Sequence, residues 1–236
     1  MTARFEDLAW APTPLGELTL RRRVEPRLGV EVFEVRLGTE YLMSSLFTTG
    51  ETELARLGLA AATGDGFDVL VGGLGLGYTA VAALADARVS TLTVVDALGA
   101  VIDWHHRGLV PAAAALVGDP RTRLVEGDFF AIAASPDDDV PAAPGRRYHL
   151  VLVDIDHSPR HTLAAAHATF YSAAGLGQLR RLLHPGGVFA LWSDDAPDEA
   201  FVATLGGVFG TVEAHVVRFP NPLTGGEASN TVYVAR

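Results

Sequence analysis

The chain contains no cysteine, which excludes disulfide bonds, thiolate metal ligands and a cysteine nucleophile. Basic residues are also scarce, since 18 of them stand against 28 acidic residues and leave a formal net charge of -10. Nucleic-acid binding requires clustered basic side chains, so we expect no nucleic-acid partner. The run Arg21–Arg23 is more typical of the solvated face of a strand than of a binding patch.

Long apolar runs are missing as well. No run reaches the roughly 18 residues that a membrane-spanning helix needs, and the opening residues MTARFEDLAW lack the basic and apolar regions of a signal peptide. We therefore expect a cytoplasmic protein with no membrane partner. The 236 residues, of which 49% are hydrophobic, suffice for one α/β domain with a small additional unit.

A glycine-rich turn is the most informative feature that is present. An apolar strand leads into the run Gly72–Gly77 (GGLGLG), an alanine-rich helix follows, and a second apolar strand ends at Asp96. This order is typical of the nucleotide-binding half of a Rossmann-like sheet. The spacing is not that of a dinucleotide site, and no phosphate-binding lysine follows. The pattern predicts a nucleoside without a pyrophosphate, with S-adenosylmethionine or a relative as the candidate; we expect it to contact Gly73, Gly75 and Gly77.

A turn that only lets the helix pack on the strand is the alternative explanation for these glycines. In that case the three glycines would have no ligand contact, and the ligand would have to be argued from other residues.

The rest of the chain falls into two patterns. Residues 1–47 alternate apolar and polar side chains, which predicts a small antiparallel β-sheet domain. Residues 48–236 alternate strands and helices, which predicts a Rossmann-like doubly wound α/β domain with a mostly parallel sheet and a C-terminal antiparallel hairpin. The segment 136–145 has the composition of a surface loop. An exposed edge of the N-terminal sheet would need covering, and we expect a homodimer.

Acidic residues follow several of the predicted parallel strands, whose carboxyl ends meet at one edge. We expect Asp96 to accept hydrogen bonds from ribose hydroxyls, because a carboxylate offers two oxygens to neighbouring hydroxyls. We expect Asp128 to accept from the adenine amino group, with Phe129 packing on the ring. Helix N-capping is the alternative role for both aspartates.

Asp154 ends the most apolar strand, and Asp156 and His157 follow it. Alkyl transfer from a sulfonium to an amine requires a neutral attacking amine, and a nearby carboxylate can orient the amine and take its proton. We predict that Asp154 and Asp156 are catalytic; a strand-end turn is the alternative. The histidines have no ligand-like spacing, so we expect no metal site.

These motifs together resemble the spermidine-synthase-like aminopropyltransferases. The glycine-rich turn, Asp96, Asp128 and Asp154 match that family's nucleoside-binding and catalytic positions, and the resemblance runs from about Leu15 to the end of the chain. It implies the methyltransferase-like Rossmann fold, decarboxylated S-adenosylmethionine as co-substrate and an amine as acceptor.

Two departures fall on the acceptor side. The family's Tyr-His-Glu segment is absent, with Glu51 and Glu53 as the available substitutes, and the second acid after the catalytic strand is shifted to Asp156. Two alternatives therefore stay open. The chain could be a methyltransferase that uses intact S-adenosylmethionine, or a non-catalytic nucleoside binder.

Overall fold

The computed structural model describes residues 5–13, 16–135 and 145–236. The strands are β1 (Phe5–Thr13), β2 (Gly16–Glu25), β3 (Val30–Leu37), β4 (Glu40–Ser44), β5 (Phe67–Gly72), β6 (Val89–Asp96), β7 (Thr122–Glu126), β8 (Tyr148–Val153), β9 (Leu183–Ser193), β10 (Val212–Asn221) and β11 (Gly226–Ala235). The helices are α1 (Thr49–Ala61), α2 (Tyr78–Leu84), α3 (Gly99–His106), α4 (Ala113–Val117), α5 (Phe129–Ala134), α6 (Ala173–Leu179) and α7 (Glu199–Val208), with 3-10 turns at Ala165–Thr169 and Arg180–Leu182. Apart from Gly145, the predicted surface loop lies outside the described residues.

The larger sheet has seven strands in the order β10-β11-β9-β8-β5-β6-β7. Strands β5 to β9 run parallel, while β11 pairs antiparallel with both β9 and β10. This is the predicted mostly parallel sheet with a C-terminal antiparallel hairpin at its edge. The chain leaves β5 in one direction toward β6 and β7, and returns on the other side as β8 and β9. The crevice between β5 and β8 is therefore the switch point where ligands of such sheets bind.

Helices cover both faces of this sheet, because the inner strands are apolar on both sides. In β5, Val69 and Val71 pack against α1, α2 and α3, whereas Leu70 packs against α5, α6 and α7. Alternate strand residues point to opposite faces, so a continuous apolar run is what a strand covered on both sides requires. Every helix in the described part of the chain is too short or too polar to cross a membrane.

The N-terminal strands form a separate four-stranded antiparallel sheet in the order β1-β2-β3-β4. Its side chains Leu18, Leu20 and Val35 join the same apolar core as α1 and α2. A division into domains at residue 47 therefore stays a proposal. On the edge strand β1, Phe5 and Trp10 are 50% and 58% exposed; the homodimer that would cover such an edge also stays a prediction.

The three arginines of the run Arg21–Arg23 are ion-paired on the N-terminal sheet, chiefly with acidic residues of neighbouring strands. Arg21 bonds to Asp7 at 2.7 Å and Arg22 to Glu6 at 2.6 Å. Arg23 bonds to Glu34 and Glu25 at 2.5 Å. Each arginine thus has a carboxylate partner within the protein.

Two elements differ from the sequence expectation. Strand β1 was not anticipated, although its Asp7 and Glu6 face arginines of β2 across the pair. The second difference is at His184–Gly187, a run of turn-forming residues that lies inside β9. Leu183 pairs with Tyr148 of β8, and the next paired residue is Val188, opposite Leu150. The four residues between them therefore form an irregularity in the strand, with Gly186 at a φ of 77°.

Candidate active site

The glycine-rich turn crosses the end of β8 at the switch point. Gly73 has a φ of 95°, and a Cβ atom there would lie 2.0 Å from the carbonyl oxygen of Asp154. Gly75 has a φ of 48°, and its Cβ would lie 2.5 Å from the sulfur of Met43 on β4. Close approach of backbone requires glycine at position 73, whereas at position 75 the left-handed φ does so, because the Met43 side chain is flexible and can move aside. Any ligand contact at either glycine is made by backbone.

Gly77 has a different reason to be glycine. Its φ is 91°, and a Cβ would lie 2.7 Å from Leu116 and 2.9 Å from the ring of His105. The same ring bonds to the Gly75 carbonyl oxygen at 2.9 Å through Nε2. Packing of the turn against α3 and α4 thus explains this glycine, which is the alternative left open by the sequence, and ligand contact is not needed for it.

Asp96 at the end of β6 holds the glycine-rich turn. Its Oδ2 accepts from the backbone N–H of Leu74 at 2.8 Å and of Gly75 at 3.5 Å, and its Oδ1 accepts from that of Leu98 at 2.8 Å. Burial raises the pKa of Asp96, and these three hydrogen bonds oppose the rise. A carboxylate has about four lone-pair sites, so capacity remains on both oxygens for ribose hydroxyls.

Asp128 is the N-cap of α5, since its Oδ1 accepts from the N–H of Phe130 and of Ala131. The helix-capping alternative therefore holds for this oxygen, and only the second oxygen is left for a ligand. Phe129 lies under Gly72, where a Cβ would be 2.7 Å from its ring. The Phe129 ring therefore packs against the end of β5, and both Phe129 and Phe130 line a cavity described below. The packing of Phe129 on a nucleobase stays a prediction.

Two adjoining cavities open at the carboxyl edge of the sheet. The first, here called the Asp96 cavity, has a volume of about 300 Å³ and is lined by Gly73, Asp96, Leu98, Asp128, Phe129, Phe130 and His167 among others. The second, here called the Glu51 cavity, has a volume of about 360 Å³ and is lined by Tyr41, Glu51, Tyr78, Trp192, Asp194 and Asn230 among others. Both cavities are lined by Leu42, Met43, Gly75, Asp154, Ile155 and His157. Asp154 therefore stands where a molecule in one cavity would meet a molecule in the other.

Asp154 is held in place by Thr79 of α2, whose hydroxyl donates to Oδ2 at 2.7 Å. Burial raises the pKa of Asp154 to about 6, and the Thr79 hydrogen bond opposes that rise. Burial also raises the pKa of Glu51 to about 8, with a further contribution from the charge of Asp154. At neutral pH the two carboxyl groups together hold roughly one proton, with Asp154 as the ionised member.

The structure does not bring Asp156 to either cavity. Its side chain is fully buried, and it accepts from the Leu163 N–H at 2.7 Å, the His167 Nδ1–H at 2.9 Å and the Tyr171 hydroxyl at 2.8 Å. A carboxylate with three protein donors and no access to the cavities is not placed for proton transfer to a substrate. This geometry favours a structural role over the predicted catalytic one.

The two glutamates proposed as substitutes for the missing acceptor segment differ sharply. Glu51 lines the cavity beside Asp154, whereas Glu53 forms an ion pair with Arg56. The helical spacing explains this, since two residues along a helix point to different sides. His157 lines both cavities, with its Nε2 3.6 Å from Glu40.

No arginine of the described residues lines either cavity, and the chain has no lysine at all. Three backbone donors of the turn are also occupied, because the N–H of Gly73 bonds to the Val95 carbonyl, and those of Leu74 and Gly75 to Asp96. The carboxyl groups of Glu51, Asp154 and Asp194 give the Glu51 cavity an acidic lining. Such a cavity suits a cationic molecule.

Within the described residues, Asp68, His149 and His184 form a group whose ligand atoms lie within 4.8 Å of one another. The group is at the opposite end of the sheet from the two cavities, where β5, β8 and β9 begin. His149 Nδ1 accepts from the Asp68 N–H at 3.0 Å, so its Nε2 carries the proton, and Asp68 is ion-paired with Arg146. Two of the three residues thus already have partners within the protein, and we assign no metal to the group.

Two solved structures that share this fold are spermidine synthases. One is a spermidine synthase in complex with the transition-state analogue AdoDATO, with a TM-score of 0.72, 14% identity, and coverage of 97% of this chain and 73% of that one. Another is the spermidine synthase from Thermotoga maritima, with a TM-score of 0.72, 15% identity, and coverage of 97% and 72%. The chain has the spermidine-synthase fold. No family model matches the chain.

Several cavity residues were not anticipated from the sequence. Phe130 and His167 in the Asp96 cavity, and Tyr78, Trp192 and Asn230 in the Glu51 cavity, come from separate elements. Phe130 and Tyr78 could have been found, because Phe130 follows the predicted pair of Asp128 and Phe129, and Tyr78 follows Gly77. The other three carry no local signal, since only the folded chain brings β9, β11 and the turn at Ala165–Thr169 to the glycine-rich turn.

The Thr79 hydrogen bond predicts a measurable change in the titration of Asp154. Thr79→Val removes a donor that favours the ionised carboxylate, so the pKa of Asp154 should rise above about 6. Thr79→Ser keeps the hydroxyl and should leave it near the wild-type value. Carboxyl ¹³C resonances of aspartate-labelled protein, with Asp154 identified by its loss in Asp154→Asn, give this pKa without any assay of activity. Equal values in all three proteins would contradict the assignment.

Proposed function

We propose that the protein is an aminopropyltransferase-like enzyme, which transfers an alkyl group from decarboxylated S-adenosylmethionine to an amine. The nucleoside of the donor would occupy the Asp96 cavity, and the amine would occupy the Glu51 cavity. The observation that carries the proposal is the position of Asp154, which lines both cavities where they adjoin. The shared fold with spermidine synthases supports the same assignment.

The acidic lining favours the decarboxylated donor. An intact donor has an α-carboxylate, which would need a basic side chain or an available backbone N–H near the glycine-rich turn. The turn N–H groups of Gly73, Leu74 and Gly75 are already bonded within the protein. The ionised Asp154 would repel an anion there and attract the ammonium of a decarboxylated donor or an acceptor.

The chemistry assigned to Asp154 is proton acceptance. The amine nitrogen attacks the carbon next to the sulfonium; a C–N bond forms, the C–S bond breaks, and its electron pair returns to sulfur as a neutral thioether. The proton released by the nitrogen passes to Asp154. A pKa of about 6 leaves Asp154 ionised at neutral pH yet basic enough to take that proton. Activity should therefore rise with pH through an acid limb near this value.

We predict that the protein binds methylthioadenosine, the product of aminopropyl transfer, more tightly than S-adenosylhomocysteine. The expected ratio of dissociation constants is at least about tenfold, a difference of about 1.4 kcal/mol in binding free energy. Calorimetric titration of both compounds measures this ratio. Above about pH 8, where the Glu51 carboxyl is ionised, Glu51→Gln should narrow the ratio, because it removes a negative charge from the cavity. Glu53→Gln is the matched control on the same helix and should leave the ratio unchanged.

A preference for S-adenosylhomocysteine would overturn the decarboxylated donor and indicate a methyltransferase. Binding of methylthioadenosine with no transfer product, when decarboxylated S-adenosylmethionine and a panel of diamines and polyamines are supplied, would indicate a non-catalytic binder. Mass spectrometry of the amines after incubation distinguishes the addition of an aminopropyl group from that of a methyl group.

A further inference from the structure

Asp156 holds one segment of the chain over the Asp96 cavity through hydrogen bonds. The segment lies between β8 and α6, and all three donors to Asp156 come from it: the Leu163 N–H, His167 Nδ1–H and the Tyr171 hydroxyl. Leu163 and His167 also line the cavity. A buried carboxylate needs hydrogen-bond donors for its lone pairs. Asp156 receives its three donors because the segment lies in this position.

The hydrogen bond fixes the tautomer of His167. A carboxylate with donors on both oxygens offers only lone pairs, so the 2.9 Å contact requires the hydrogen of the imidazole on Nδ1. In the neutral ring, Nε2 is then a hydrogen-bond acceptor. The His167 side chain is 18% exposed, and within the described part of the chain its Nε2 has no hydrogen-bond partner.

The ring orientation is fixed as well. His167 stacks on Phe130 with ring centroids 4.0 Å apart and an interplanar angle of 28°. Phe130 in turn meets Phe170 edge to face at 5.1 Å. The imidazole is therefore held by a carboxylate at Nδ1 and by an aromatic face, and only Nε2 is left to meet a molecule in the cavity.

A nucleoside bound in the Asp96 cavity would have its base near His167. Asp96 ends β6, and Asp128 follows β7, the outer neighbour of β6. A nucleoside with its ribose at Asp96 and its sulfur toward Asp154 directs its base toward β7, where Phe130 and His167 lie. Asp128 has one oxygen committed to the N-cap of α5, so the cavity has room for a second acceptor at this end.

We propose that His167 Nε2 accepts a hydrogen bond from the exocyclic amino group of the nucleobase, and that Asp156 is the positioning residue that keeps His167 in this tautomer. The inference rests on the nucleoside site of the proposed function and adds a specificity determinant to it. A 6-aminopurine offers the required donor, whereas a 6-oxopurine presents a carbonyl oxygen to the same lone pair. The site should therefore prefer adenosine derivatives to inosine derivatives.

Calorimetric titration of methylthioadenosine and methylthioinosine tests the contact. We expect the wild type to prefer the amino compound by about tenfold or more, as one lost acceptor in a buried site predicts. His167→Phe keeps an aromatic ring against Phe130 but has no acceptor, so the ratio should fall by most of that factor through weaker binding of the amino compound. His106→Phe, the same change on the exposed side of α3, should leave the ratio unchanged.

The tautomer is read by long-range ¹H–¹⁵N spectra of the histidines, with His167 identified by its loss in His167→Phe. We expect the Nδ1–H form in the free protein and a shift of the Nε2 resonance when methylthioadenosine binds. Asp156→Ala should give a mixture of tautomers and lower the amino/oxo ratio as His167→Phe does. Where that variant does not fold, the wild-type spectrum decides, because an Nε2–H tautomer overturns the proposal.

The outcomes distinguish the proposed function from the proposed contact of His167. Failure of both nucleosides to bind the wild type overturns the proposed function and this inference with it. Binding of both, with the same ratio in the wild type and in His167→Phe, overturns this inference alone and leaves Asp128 as the acceptor at the base end.

Discussion

Replacing Asp154 by asparagine should lower turnover by about a thousandfold while leaving the affinity for methylthioadenosine unchanged. The amide has the same shape and can still accept from Thr79, but it cannot take a proton from the attacking amine; general-base catalysis is typically worth about 10²–10⁴ in rate. Turnover with decarboxylated S-adenosylmethionine and an amine that the wild type accepts, together with calorimetric titration, measures the two quantities separately.

Asp103→Asn is the matched control for this prediction. Asp103 lies on α3, where its carboxylate is exposed and ion-paired with Arg107, so the same chemical change should alter neither turnover nor binding. Unchanged turnover in Asp154→Asn would remove the catalytic role of Asp154. Loss of methylthioadenosine binding in the same variant would show that Asp154 holds the donor and is not mainly a base.

Replacing Gly73 by alanine should abolish nucleoside binding and lower the free energy of unfolding by at least about 3 kcal/mol. The methyl group would be placed 2.0 Å from the backbone carbonyl oxygen of Asp154, at a φ of 95° that disfavours any side chain. Backbone of β8 cannot rotate out of the way as a side chain can, so β5 and β8 would have to separate at the switch point. Chemical denaturation and calorimetric titration provide the measurements.

Gly64→Ala is the control that separates the cost of the left-handed backbone from the cost of the steric contact at Gly73. Gly64 has a similar φ of 101°, but a Cβ there would have nothing within 4 Å. Its replacement should cost about 1–2 kcal/mol from the left-handed backbone alone and should leave nucleoside binding intact. Equal losses in the two variants would show that the crowding at Gly73 does not matter.

The parallel sheet and the acids at its carboxyl edge were predictable because their signals are local. The strands β5 to β8 are short apolar runs, and the residues after them, such as Asp96 and Asp154, are placed by the rule that parallel strands deliver their carboxyl ends to one edge. The reason for each glycine in the turn is not local: a glycine needed for packing, such as Gly77, and one needed for backbone approach look alike in sequence, and only the neighbours Leu116 and His105 tell them apart.

The burial of Asp156 could not be predicted from its neighbours in the sequence. In sequence, Asp154 and Asp156 are equivalent acids after one strand, but alternate extended residues and the turn that follows determine which of them meets the cavity. The donors that capture Asp156 lie 7, 11 and 15 residues further along. No pattern near Asp156 predicts that it will be buried, because its burial depends on how the later segment folds back.

The sequence by itself predicted the alternation of strands and helices in the parallel sheet and the acids at its carboxyl edge, since these follow from hydrophobic periodicity and strand polarity. The tertiary structure alone decided that Glu51 and not Glu53 lies in the cavity beside Asp154, that the two cavities adjoin, and that His167 lines the Asp96 cavity. These facts depend on the packing of the N-terminal sheet, of α1 and of the segment after β8 around one crevice. Distances of that kind are set by the whole core and not by neighbours in the chain.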